Sequence, residues 1–151
     1  EEVFEKLYEI SQKASFDCKT TEAMHYRRYL ISRLRSEHAS ADPHRAVWRT
    51  AGVSDARGFV FVSHTGEIYP SGFLPVSAGN VRVDSLVDVY RNSSLFRIVR
   101  DADGRHGKCG VCEYRKICGG SRARAYALTG DYLAEDPRCV YAPREAAQLL
   151  T

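Results

Sequence analysis

Four of the five cysteines in this chain fall between Cys109 and Cys139, and three of them, Cys109, Cys112 and Cys118, lie within ten residues. Cys109 and Cys112 form a C-x2-C knuckle, a tight turn that points two sulfurs the same way, with Gly110 lending backbone freedom. Cys118 is followed by Gly119 and Gly120, which let amides approach a bound sulfur, and Cys139 follows Pro137 after an intervening helix. An odd cysteine count, one tight cluster and no secretory signal argue against a disulfide framework and for thiolates that bind metal. The plain alternative, unrelated buried thiols, fits poorly with so dense a group. A four-thiolate site suits either tetrahedral zinc or an iron–sulfur cluster, and spacing alone leaves both open.

With 151 residues and 44% apolar content, the chain is the size of one domain and has enough apolar side chains for a core. A net charge of +3, with both signs mixed along the chain, is too weak to argue for nucleic acid. No apolar run approaches the roughly 20 residues of a membrane span, so no membrane partner is expected and the expected localisation is cytoplasmic. The chain opens on Glu1 in a helical pattern, which reads as a piece of something longer.

Helical spacing covers Glu2 to Ala14 and His25 to Arg35, with a short strand expected over Ser15 to Lys19. Glu37 to Asp55 reads as a loop or linker broken by Pro43, with one helical turn near Trp48. Gly58 to Val62 reads as a strand, "HTGE" as a turn, and Ile68 and Tyr69 as the returning strand. Short helices follow from Ser85 to Asn92 and from Ser93 or Ser94 to Arg100, then one from about Ser121 to Thr129 that Gly130 ends. Residues 1–50 thus read as helix–strand–helix, an α/β layer, and residues 51–151 as an α+β hairpin-plus-helices module dependent on its metal.

"CGVCEYRKICGGSRARAYALTGD" with "EDPRC" resembles the SPASM region at the C-terminus of radical S-adenosylmethionine enzymes. "SHTGEIYPSGFLPVSAGNVR" resembles the hairpin before it, "SLVDVYRNSSLF" the helices between, and "KTTEAMHYRRY" the segment closing the catalytic barrel. The resemblance implies that residues 1–50 are the C-terminal end of a partial (β/α) barrel and residues 51–151 a SPASM-like auxiliary-cluster domain. It also implies a [4Fe-4S] cluster on Cys109, Cys112, Cys118 and Cys139. The full pattern has further cysteines for a second auxiliary cluster, and at two of those positions this chain has Ser71 and Arg122. One auxiliary cluster is therefore expected. No C-x3-C-x2-C occurs, so S-adenosylmethionine and its own [4Fe-4S] cluster would bind outside this chain, which by itself is expected to be inactive.

By the same resemblance, Lys19, Thr20, Glu22, His25, Arg27 and Arg28 follow a strand at the barrel's open face, where substrate-facing groups collect. Of these, Lys19, Thr20, Glu22, His25 and Arg28 are the substrate-side candidates, against a solvated loop with salt bridges. Arg122 and Tyr126, four apart on one helix, are candidates to donate hydrogen bonds near the cluster, whereas Arg124 reads equally as surface charge. Cys18 reads as a buried structural thiol, the four other histidines His38, His44, His64 and His106 as surface groups, and Phe59, Phe61, Tyr69, Phe73 and Tyr90 as core.

The parent protein is expected to cleave S-adenosylmethionine, take electrons from a reductant such as flavodoxin or ferredoxin, and modify a peptide or tetrapyrrole-like substrate. Two rivals remain: a zinc-binding structural module on the same four cysteines, and a basic nucleic-acid module on Arg27, Arg28, Arg122 and Arg124. The arginines of the second are scattered among acids without a stacking platform, so no nucleic-acid partner is expected.

Overall fold

The computed structural model describes residues 1–37 and 54–144. The order is α1 (Glu2–Lys13), α2 (His25–Ser36), β1 (Phe61–Val62), β2 (Ile68–Tyr69), α3 (Leu86–Asn92), α4 (Ser94–Arg100), α5 (Gly107–Val111) and α6 (Arg122–Thr129). The described residues are mostly helical, with one two-stranded antiparallel hairpin among them, pairing Phe61 with Tyr69 and Val62 with Ile68. The expected turn near Trp48, the linker boundary near residue 50, and His38 and His44 lie outside the described residues.

The strand expected over Ser15 to Lys19 does not form. The segment between α1 and α2 runs as bends and irregular backbone, with Phe16 68% exposed. No strand of the described residues lies beside it, so its amides have no ladder to join. The first third is therefore two packed helices rather than an α/β layer, and the end of a barrel is not seen in it.

Local chemistry explains the helix ends. Ser85 accepts a hydrogen bond from the Asp88 amide, Ser93 from Phe96 and Ser121 from Arg124, so three helices begin on a serine cap. Gly130, with φ of +76°, ends α6 in the left-handed conformation. The short α5 lies where only a knuckle turn was expected, and Cys109 is its buried residue.

Two cores form. One gathers Ala56, Ile68, Leu74, Val89, Leu95, Phe96, Val99 and Ala123 beneath the hairpin. Residues 78–80 lie along β2, where the Ile68 amide donates to Gly79 O at 2.8 Å and the Ala78 amide to Ile68 O at 2.8 Å. That third rung leaves Ile68 fully buried. Phe61 and Phe73, expected in the core, face outward at 39% and 58% exposure. Ile68 and Leu74 hold the inward positions instead, and the Phe61 ring lies over Gly72, where a Cβ would stand 3.5 Å away. The second core joins Tyr8, Tyr26, Leu30 and Ile31 of α1 and α2 to Tyr114, with Cys112, Ile117, Cys118 and Tyr141 packed around it. The helical pair thus forms one face of the cysteine region.

Candidate metal centre

Cys109 sits on α5, Cys112 follows as its C-cap in extended backbone, and Cys118 comes after the turn that buries Tyr114. Gly119 and Gly120 both have left-handed φ, +71° and +65°, and reverse the chain into α6. The return segment is tied to α5: the His106 amide donates to Leu133 O at 2.9 Å, and the Lys108 amide to the Glu135 carboxylate at 2.7 Å. Lys108 Nζ also donates to Cys139 O at 2.5 Å, which seats the remote cysteine beside the knuckle.

Cys109, Cys112, Cys118 and Cys139 line one hollow, whose wall is completed by His25, Arg28, Lys108, Arg115, Tyr141 and Pro143 with Gly119 and Gly120. Among the described residues, no aspartate or glutamate is on that wall. Among the described residues, no three His, Cys, Asp or Glu side chains close on a point that would hold a single metal ion.

Three of the four sulfurs accept from a backbone amide. The Asp136 amide donates to Cys109 Sγ at 3.3 Å, Tyr114 to Cys112 at 3.4 Å and Gly120 to Cys118 at 3.5 Å. The Tyr141 amide, two residues beyond Cys139, lowers that thiol's pKa against the effect of burial. In two of the three the donor is two residues beyond the cysteine, the geometry a chain adopts when it wraps a sulfur. Such bonds favour the thiolate, whereas burial pushes the Cys118 thiol up to about 12 and raises Cys112 and Cys139. Four thiolates in so enclosed a place need a bound cation to stay deprotonated, so donor set and surroundings fit a metal–sulfur group.

The glycines are explained by space. A Cβ at Gly120 would stand 3.2 Å from Cys109 Sγ and 2.8 Å from Asp136 Cβ. Gly110 lacks a positive φ, so the backbone freedom expected of it is not what the site uses; a Cβ there would press on the Arg105 carbonyl oxygen.

A polar brace stands behind the sulfurs. Asp136 is fully buried and accepts from Arg124 Nε at 2.8 Å, Arg124 Nη2 at 2.6 Å and the Ser121 amide at 2.8 Å. His25 Nε2 lies 2.9 Å from its Oδ2. Burial pushes the Asp136 carboxyl up, but His25, Arg124 and the Ser121 amide outweigh it and hold the group well below the usual carboxylate range. Arg124 is thus the half-buried partner of a buried carboxylate rather than free surface charge.

Of the substrate-side candidates, His25 and Arg28 are on the hollow's wall. Glu22 accepts from Ser121 Oγ and has a left-handed φ of +54°. Thr20 Oγ1 donates to Ala23 O at 3.4 Å, Lys19 is exposed, and neither lines the hollow. Arg27 is buried with Nη1 2.7 Å from Ser54 Oγ. Arg122 reaches Cys109, with Nη2 3.9 Å from Sγ, whereas Tyr126 packs beside Tyr132 in the hairpin core. Cys18 is half-buried and lines a separate hollow with Tyr8, Leu30 and Leu34. Sequence reasoning missed Asp136, Arg105, Lys108 and Tyr141. The nearest signal was the acidic "EDPRC" just before the remote cysteine.

The chain is 41% identical over 145 residues to the AdoMet-dependent heme synthase of Methanosarcina barkeri, covering 95% of this chain and 42% of that protein. To the AdoMet-dependent heme synthase of Nitratidesulfovibrio vulgaris it is 42% identical over 146 residues, 95% of this chain and 40% of the relative. The PqqA peptide cyclase of Rhizobium meliloti is 36% identical over 98 residues, 64% of this chain and 25% of the cyclase. The chain therefore spans about two fifths of the length of the heme synthases it matches. No family model and no solved structure matches it.

Proposed function

The chain is homologous over about 95% of its length to the C-terminal part of radical S-adenosylmethionine/SPASM enzymes, and from that premise we propose that it holds one auxiliary [4Fe-4S] cluster. Cys109, Cys112, Cys118 and Cys139 would be its ligands. The observation that carries the reading is that these four, drawn from a segment of 31 residues, line one hollow, and three of them accept an amide hydrogen bond. A cubane presents four irons to four thiolates at separate corners, which suits sulfurs spread around a hollow better than one ion at a shared centre. When bound, such a cluster supplies one-electron chemistry. The chain's own residues supply the amide donors, the cationic wall and the Asp136 brace.

The parent protein, on this reading, cleaves S-adenosylmethionine at a cluster whose ligands lie outside these residues. The two heme synthases are 41% and 42% identical to the chain and the peptide cyclases 30–36%, which favours a tetrapyrrole over a peptide as the parent's substrate. In this reading His25 and Arg28 serve the cluster wall, while Lys19, Thr20 and Glu22 remain on the substrate side.

Metal and sulfide analysis after anaerobic reconstitution tests the cluster. About four irons and four sulfides per chain are expected. Stoichiometric zinc retained in the presence of iron and sulfide would replace the cluster with a tetrathiolate zinc site.

A further inference from the structure

Two buried guanidinium groups lie by the sulfurs, Arg122 behind Cys109 and Arg28 on the wall of the hollow. Arg122 is only 2% exposed. It donates to Tyr132 O at 3.0 Å, to Ala134 O at 2.7 Å and toward Cys109 Sγ at 3.9 Å. It makes no ion pair with a carboxylate among the described residues. A fully buried cation needs a counter-charge, and the nearest acceptor able to carry one is the Cys109 sulfur.

Arg28 faces the hollow from the opposite helix at 6% exposure. Its guanidinium lies over the Tyr141 ring, 4.6 Å from the centroid, and pairs with the half-exposed Glu1. Its Nε is buried with no hydrogen-bond partner. Arg28 and Lys108 line the same hollow as Cys139, and Lys108 Nζ is held by the Cys139 carbonyl oxygen. A third guanidinium, Arg105, backs Gly119 so closely that a Cβ there would stand 2.9 Å from it.

We propose that Arg122 and Arg28 are positioning residues for the cluster's charge, counter-cations to the Cys109 and Cys139 thiolates that raise its one-electron reduction potential. The proposal rests on the cluster assignment above. Four thiolates on an oxidised [4Fe-4S] core sum to a charge of 2−, and one added electron makes 3−. Fixed cations in a poorly solvated wall stabilise the 3− state more than the 2− state, so their removal lowers the potential.

The test uses the chain reconstituted anaerobically with iron and sulfide and reduced with dithionite. Iron content is measured first, then the midpoint potential by EPR-monitored titration, for the wild type, Arg122→Gln, Arg122→Lys and Arg28→Gln. Expected are lower midpoints in both Gln variants and a near wild-type value in Arg122→Lys. Arg122→Gln failing to load iron while Arg122→Lys loads it supports the same conclusion. Unchanged midpoints in iron-replete Gln variants overturn the proposal. So does Arg122→Lys behaving like Arg122→Gln, which would make shape rather than charge the determinant. A wild-type chain that takes up no iron defeats the cluster assignment itself, and is seen before any potential is measured.

Discussion

The backbone amide of Asp136 donates to the sulfur of Cys109 at 3.3 Å, joining two residues 27 positions apart. The same residue's carboxylate is held by Arg124 and approached by His25 at 2.9 Å. One residue therefore links the knuckle, the helix α6 and the start of α2. The cysteine region and the helical pair share this buried link, and four sets of variants test what it and its neighbours contribute.

Cys139→Ala is expected to leave a labile, iron-poor cluster and to expose the stretch from Gly119 to Arg138 to protease. A cross-link between Cys139 and the knuckle closes a loop worth roughly 3 kcal/mol by the argument used for disulfides. Cys18→Ala should keep full iron, because Cys18 lines a different hollow. Iron assay and limited proteolysis of both variants check this. Loss of iron in Cys18→Ala with retention in Cys139→Ala would assign the fourth ligand to Cys18.

Asp136→Asn should destabilise the fold by about 3 kcal/mol, the scale for breaking a buried pair and stranding its cation. The carboxyl's folded pKa is depressed. Its contribution is therefore present above the unfolded value of about 3.9 and is lost as pH falls below that value toward the folded one. Urea titrations of wild type and variant should differ most from pH 6 upward and converge on acidification. A gap independent of pH would show that Asp136 acts through shape alone.

Gly120→Ala and Gly130→Ala separate backbone strain from crowding. Both positions have left-handed φ, +65° and +76°. A Cβ at Gly130 meets nothing within 4 Å, so only the conformational cost of about 1 kcal/mol applies. At Gly120 the Cβ would stand 2.6 Å from Arg122 Nη2 and 2.8 Å from Asp136 Cβ, so iron binding should fail as well. Equal thermal stability and equal iron in the two variants would contradict the close approach.

Tyr114→Ala removes the residue of the cysteine turn that enters the helical core. Tyr114 is 8% exposed, meets Tyr141 edge-on at a centroid distance of 5.5 Å, and its hydroxyl lies 3.2 Å from Ser32 Oγ. A loss of about 3–5 kcal/mol is expected from truncating an aromatic in a core. Tyr114→Phe, which keeps the ring, should lose about 1 kcal/mol, the net value of one hydrogen bond. Denaturant unfolding of the two distinguishes packing from the hydroxyl.

Features set by neighbours in the chain were legible from residues alone. Ser85, Ser93 and Ser121 cap helices and Gly130 ends one because each acts on backbone within a turn of itself. The helices over α1 and α2 followed from apolar spacing to within a residue or two at each end. The grouping of Cys109, Cys112 and Cys118 is likewise local, since so few residues separate them.

What depended on distant partners was decided only by the tertiary structure. Ser15 to Lys19 is short enough for a strand, but a strand exists only where another chain segment supplies its hydrogen bonds. Phe61 and Phe73 are apolar enough for a core, yet the rung at residues 78–80 and the inward Ile68 and Leu74 fill it first. Arg122 was legible as a donor toward the cluster, but Arg124, two residues on, read equally as surface charge. Arg124 meets the Asp136 carboxylate and Arg122 the Cys109 sulfur. The sequence by itself determined where thiols cluster and where helices start and stop, because those follow from short-range sterics and hydrogen bonding. The fold decided which charges are buried against the sulfurs, because burial and pairing belong to surfaces brought together from opposite ends of the chain.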